Sequence, residues 1–242
     1  MDEQITQLKE YMDQSSNTVA ITGSGISYLY GMSRLKQMSN RMDLMRKLSP
    51  KYVQKNPEDF YKVMREAFLD ATFKLGPSPV HKQLAEFEKR GMLSGIVTQN
   101  FDCLHQEAGS TNVVEFQGSF DDNICVGCGA RYHDYKVWDE GKAPRCEKCG
   151  APLMPASFDR NFPGHDSEYN ARMNQAADMI AAADLALIMG TTGFMSENYM
   201  AKVTPKTTLV QINPSPTRFD SMTKLNIRRD AEEVFNEILS AE

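Results

Sequence analysis

Asn17-Thr-Val-Ala-Ile-Thr-Gly-Ser-Gly-Ile-Ser27 decides how this chain folds. Thr18 to Thr22 is rich in β-branched residues and carries no charge, so it reads as a strand. It breaks into Gly23-Ser24-Gly25 and runs on toward a helix. A strand that enters a glycine-rich turn and then a helix is how a doubly wound sheet receives the phosphates of a dinucleotide. The glycines let the backbone approach, and the helix N-terminus offers unpaired N–H groups. The Gly-x-Gly pattern is short, and a tight turn without a ligand also fits it.

Outward from that turn the same unit recurs. Ile5, Leu8, Tyr11 and Met12 repeat at helical spacing before the strand. On the far side, residues 28–75 read as a helical excursion with no strand, bounded near Pro50 and Pro57. The methionine stripe Met32, Met38, Met42 and Met45 within it reads as packing. Residues 80–90 form an amphipathic helix. Gly95-Ile-Val-Thr-Gln-Asn100 is a second strand with polar residues at its carboxyl end, and Val113-Val-Glu-Phe116 is a third, closing on Gln117-Gly118. After an interruption come a helix at 168–182, the strand Asp184-Leu-Ala-Leu-Ile-Met189 leading into Gly190-Thr191-Thr192-Gly193, and Thr208-Leu-Val-Gln-Ile212 leading to Asn213. A helix at 230–239 closes the pattern. Strand, polar turn and helix in alternation predict an α/β protein with a Rossmann-like, doubly wound parallel sheet.

The interruption carries the second signal. Cys125-x-x-Cys128 and Cys146-x-x-Cys149 are separated by 17 residues, the spacing of a zinc ribbon in which each pair forms a tight knuckle around a tetrahedral Zn²⁺. Two disulfides are the alternative, and a reducing cytosol disfavours them. The expected division is a Rossmann-like domain of 1–29, 76–120 and 164–242, a helical module at 30–75 and a zinc-ribbon insert at 121–163. Cys103 reads as a small buried hydrophobe.

At 242 residues and 41% hydrophobic content the chain can bury a full core. A net charge of −5 offers no general basic field for nucleic acid or an anionic membrane. The acidic, amphipathic start lacks the basic and apolar regions of a signal peptide, and no apolar run approaches membrane length. The expected compartment is cytoplasmic.

Together the residues resemble the sirtuins. Gly23-Ser-Gly-Ile-Ser27, Thr98-Gln-Asn-Phe-Asp-Cys-Leu-His105, the paired Cys-x-x-Cys, Gly190-Thr-Thr192 and Ile212-Asn213 stand in that family's order and approximate spacing. The resemblance spans nearly the whole chain. It implies an NAD-cleaving enzyme with a structural zinc and a protein or peptide acceptor. It further implies that Gly23, Ser24, Gly25 and Ser27 face the NAD pyrophosphate. Gln99, Asn100 and Asp102 would line the nicotinamide and ribose pocket, and Gly190, Thr191, Thr192 and Asn213 would hold phosphates and adenosine ribose. Asp102 also suits a plain helix cap before Cys103. His81 and His105 fit packing better than catalysis.

The departures matter as much. Sirtuin deacylases carry His-Gly where this chain has Gln117-Gly118, and glutamine has no usable pKa for general-base work. The family's Gly-x-Pro-Asp-Phe-Arg is here Gly31-Met-Ser-Arg-Leu-Lys36, leaving Lys36 to meet a phosphate as a point charge. The strand that pairs with acyl-lysine reads as shortened around Met154-Pro-Ala-Ser-Phe-Asp-Arg160. A macrodomain-linked sirtuin subclass also carries Gln for His. The expectation drawn from that resemblance is protein ADP-ribosyl transfer, with Asn100, Gln117 and Asp102 as the catalytic group. The alternatives are NAD-dependent lysine deacylation and a non-catalytic NAD or ADP-ribose binding module.

Overall fold

The computed structural model of the protein describes residues 2–30, 46–159, 163–193 and 196–240. Thr18–Thr22 is strand β1, buried along its whole length. β2 (Gly95–Thr98) and β3 (Val113–Glu115) follow. A small sheet of β4 (Asp122–Cys125), β5 (Arg131–His133) and β6 (Leu153–Pro155) interrupts them. The chain then returns as β7 (Leu185–Met189), β8 (Thr208–Ile212) and β9 (Leu225–Ile227). The large sheet runs β3-β2-β1-β7-β8-β9 and all its pairings are parallel. Counted within that sheet alone, this is the order 3-2-1-4-5-6 of a dinucleotide-binding fold, with the reversal of strand order falling between β1 and β7.

The helices are α1 (Glu3–Gln14), α2 (Pro50–Lys55), α3 (Pro57–Met64), α4 (Asp70–Leu75), α5 (Pro79–Lys89), α6 (Leu104–Glu107), α7 (His165–Ala182), α8 (Ser196–Tyr199) and α9 (Ala231–Ser240). Alternate strand residues face opposite ways. Ala20, Ile96, Leu187 and Val210 pack against Ile5 and Leu8 of α1, Leu84 and Phe87 of α5, and Val234 and Phe235 of α9. Val19, Ile21, Val97 and Ile188 pack against Met173, Ala176 and Ile180 of α7. Both faces of the sheet are therefore covered, as an all-parallel sheet requires.

Pro50 and Pro57 begin α2 and α3, where the missing N–H costs nothing. A π-helical turn at Arg65–Leu69 joins α3 to α4. Phe60, Met64 and Phe68 from this excursion share one core with Phe120 and with Ile124, Trp138 and Met154 of the cysteine-bearing insert. Tyr61 and Arg65 both donate to the Trp138 carbonyl, each at 3.1 Å. The two segments thus pack as one lobe on the parallel sheet.

Two elements differ from the sequence reading, and a third is as short as expected. β9 is a sixth strand, too short at Leu225–Ile227 to give a pattern of its own. The glycine turn continues as a 3₁₀ helix, Ser24–Tyr30, rather than an α-helix. Met154 to Asp159 gives only the end of β6 and a 3₁₀ turn at Ala156–Phe158. Gly31 to Lys36, with the methionine stripe and Arg160, lies outside the described residues, so the placement of Lys36 is not shown.

Candidate active site

The carboxyl ends of β1, β2, β7 and β8 bring the sequence-selected residues to one edge of the sheet. Gly23 to Ser27 follow β1, Gln99 to Asp102 follow β2, Gly190 to Thr192 follow β7 and Asn213 follows β8. The turns after β1 and β7 touch backbone to backbone, with the Gly25 N–H donating to the Gly190 carbonyl at 2.7 Å. A Cβ on Gly25 would lie 2.6 Å from the Gly190 Cα, and one on Gly190 would lie 2.5 Å from the Ile26 nitrogen. The glycines are thus needed for turn-on-turn packing, before any phosphate is considered.

Hydrogen bonding divides the polar residues into two groups. Asn213 spends its amide on the neighbouring turn, accepting from the Gly190 N–H at 3.0 Å and donating to the Thr191 carbonyl at 3.3 Å. Gln99 donates to the Tyr199 hydroxyl at 2.9 Å and accepts from the Thr191 hydroxyl at 3.2 Å. These two brace the site from within. Asn100 Nδ2 is instead buried with no hydrogen-bond partner, and the buried Ser27 hydroxyl and Asp102 carboxyl lie near each other with no well-formed hydrogen bond at Ser27 Oγ or Asp102 Oδ2. Buried polar atoms are normally satisfied, so these three atoms on the turns of adjacent strands β1 and β2 mark where a polar ligand docks.

Asp102 is the helix cap that one reading of it expected. Its Oδ1 accepts from the Leu104 N–H at 3.1 Å, capping α6, while Oδ2 makes no well-formed hydrogen bond. Burial pushes this carboxyl up to about 6, against the pull of that amide. Cys103 beside it holds a left-handed backbone, φ 61°, uncommon for a residue with a side chain. Its thiol is buried, and that burial pushes it well above its ordinary range and disfavours the thiolate.

Far along the insert, the Sγ atoms of Cys125, Cys128, Cys146 and Cys149 all lie within 4.8 Å of one another. The pairs Cys125–Cys149 and Cys128–Cys146 stand 3.4 and 3.7 Å apart. A tetrahedron with Zn–S bonds of about 2.3 Å has edges of about 3.8 Å, so the four thiols are placed to hold a metal ion. Backbone N–H groups of Gly127 and Cys128 donate to Cys125 Sγ at 3.3 and 3.4 Å, closing the first knuckle. The Tyr132 hydroxyl sits 3.1 Å from Cys146 Sγ and steadies the second. Gly129 and Gly150 supply the left-handed turns that close the first and second knuckles, φ 71° and 75°.

The model of the Sir2 family matches residues 25–196 of this chain. The chain belongs to the Sir2 family. An NAD-dependent protein deacetylase 1 of Pyrobaculum aerophilum is 31% identical over 98% of this chain and 94% of its own length. A structure of Sir2 bound to acetylated peptide superposes with a TM-score of 0.76 at 25% identity, covering 100% of this chain and 98% of that one. A Sir2 complex with p53 peptide and NAD⁺ gives 0.75 at 25% identity and the same coverage.

Within this Sir2 chain, Gln117 follows β3 and is half-buried. Its neighbour Gly118 has φ 102°, and a Cβ there would meet the Ser157 Cβ at 2.4 Å. The 3₁₀ turn at Ala156–Phe158 therefore seats directly against the Gln117-Gly118 corner. Two contributors escaped the sequence reading. Tyr199 braces Gln99 from α8, a four-residue helix with no readable period. Glu115 accepts from the Cys103 N–H at 3.2 Å and from Gln106 at 2.9 Å, and burial pushes it up to about 7. A carboxylate inside the apolar run Val113 to Phe116 was its only signal.

Proposed function

We propose that this chain is an NAD-dependent protein lysine deacylase. The buried Ser27 Oγ, Asn100 Nδ2 and Asp102 Oδ2 carry the reading, since together they offer a ribose and a carboxamide both donors and an acceptor. The donor set and the touching glycine turns fit a dinucleotide, and deacylation agrees with the Pyrobaculum aerophilum relative being an NAD-dependent protein deacetylase. NAD, when bound, supplies a ribose carbon that becomes electrophilic as nicotinamide leaves. Asn100 Nδ2 then orients the ribose, and Asp102 at neutral pH presents a buried carboxylate able to stabilise developing positive charge. Burial of Asn100 and Asp102 excludes water from them. Gln117 orients and accepts no proton, which predicts slow turnover.

The same residue favours a second reading, ADP-ribosyl transfer to a protein acceptor, which needs no histidine base. The activities named for the relatives support deacylation over it. Mass spectrometry of an acetylated peptide incubated with NAD separates the two. Loss of the acetyl group supports deacylation, and a gain of ADP-ribose on protein with the acetyl group retained supports transfer. Zinc is proposed as the metal on Cys125, Cys128, Cys146 and Cys149, the NAD contacts as those the resemblance implies, including Lys36, and the three segments of the sequence reading as the domain division. Among the described residues no helix is long and apolar enough to cross a membrane.

A further inference from the structure

Arg131 on β5 faces two carboxylates at once. Its Nε and Nη2 donate to Asp122 Oδ1 and Oδ2, each at 2.5 Å. Its Nη1 and Nη2 donate to Glu168 Oε1 and Oε2, each at 2.8 Å. Asp122 opens the neighbouring strand β4, diagonally across from Arg131 in the same small sheet. Glu168 lies in the first turn of α7, a helix that covers the large sheet. The guanidinium thus spends one edge inside the cysteine-bearing insert and the other across to the large sheet's helical layer. A planar fork of this kind fixes direction as well as distance, which a point charge does not. The two carboxylates strengthen the guanidinium's hold on its proton, and Arg131 in turn holds Glu168 below the ordinary glutamate range. Arg172, one turn along α7, stands 3.7 Å from Glu168 and extends the row of charges.

The two ends of this bridge bracket the Gln117-Gly118 corner. Asp122 follows Gly118 closely in the chain, and its N–H donates back to the Ser119 carbonyl at 3.3 Å. On the α7 side, His165 lies one turn before Glu168, and its Nε2 is 3.4 Å from the Ser157 carbonyl. Ser157 is the residue against which Gly118 packs. The start of β4, the Ala156–Phe158 turn and the start of α7 therefore meet around one corner, and Arg131 joins the first of them to the last. We infer that Arg131 is a positioning residue whose double fork sets the spacing between the cysteine-bearing sheet and α7, and so holds the Ala156–Phe158 turn beside Gln117. The side chains of Arg131, Asp122 and Glu168 stay 34%, 18% and 33% exposed, and ion pairs this open to solvent add little to stability. The clamp therefore acts on placement more than on folding. Its consequence for a peptide rests on the deacylase reading, but the clamp itself does not.

Glu168→Ala is the direct test, since it opens the bridge to α7 and leaves the Arg131–Asp122 fork inside the insert. Hydrogen exchange read by mass spectrometry should be about two- to five-fold faster over 118–122 and 156–159, the scale of one half-exposed pair. Residues 18–27 should exchange as in wild type, with the melting temperature held. Arg131→Ala should loosen the same two segments, and adding Glu168→Ala to it should change nothing further, as expected of two members of one pair. In steady-state deacetylation by Glu168→Ala, the KM for acetylated peptide should rise about two- to five-fold, while kcat and the KM for NAD stay at wild-type values. Unchanged exchange in Glu168→Ala, or additive effects in the double variant, overturns the clamp. Faster exchange throughout the chain with a lower melting temperature overturns it too, because the pair would then hold the fold and not the corner. Faster local exchange with an unchanged peptide KM overturns the positioning role. If wild type deacetylates no peptide while Glu168→Ala exchanges faster at the two segments, the deacylase reading fails and the clamp stands.

Discussion

Asn100 is buried with its side-chain N–H groups unspent, so its removal should cost chemistry rather than folding. Asn100→Ala should lower nicotinamide release from NAD by about 100-fold, the loss typical of one preorganised donor, with an unchanged melting temperature. Equal rates in variant and wild type would place the reacting ribose elsewhere. Glu115 makes a pH prediction. Its carboxyl titrates near 7 when folded against 4.5 for an ordinary glutamate, through burial. A raised carboxyl binds more protons folded than unfolded, so its ionisation removes stability as pH climbs from about 4.5 to 7. Glu115→Gln ionises nowhere, and it should gain on wild type by about 3 kcal/mol between pH 4.5 and pH 8. Urea unfolding at the two pH values checks this, and a constant difference would contradict it. The residues after β1 and β2 were readable as motif. Which amides were free was not, because Gln99 is filled by Tyr199, 100 positions away, a contact no local pattern carries.

At the scale of elements, the two turns and the four-cysteine knuckles make separate predictions. Gly25→Val forces a branched side chain into the Gly190 backbone. Overpacking of this kind costs about 1–3 kcal/mol, so the variant should melt several degrees lower even without nucleotide. A wild-type melting temperature would mean that the turns separate freely. The metal is tested through Trp138, the chain's single tryptophan, which is fully buried between insert and helices. Removal of zinc by a chelator should loosen the insert and shift Trp138 emission to the red. Stripped protein that keeps its native emission would contradict a structural metal. Cys-x-x-Cys spacing gave the knuckles and prolines gave the starts of α2 and α3. The π-helical turn and the three-residue β9 escaped, because neither is long enough to show a period.

The whole molecule is a parallel sheet covered on both faces and a second lobe that helices and metal insert build jointly. Their shared core joins Phe60 to Trp138, ring centroids 6.0 Å apart, and this pairing of distant segments was the part of the architecture that periodicity did not express. The lobe seats its Ala156–Phe158 turn against Gly118, beside Gln117, at one corner of the candidate site. The central claim is that this corner cleaves NAD for an acylated lysine although a glutamine stands where the family's deacylases carry histidine. Release of nicotinamide from NAD, measured with and without an acetylated peptide, tests it most directly. The account predicts slow release that rises when the acetylated peptide is present and not with its unacetylated counterpart. Release that ignores the peptide, or no release in either case, would contradict it.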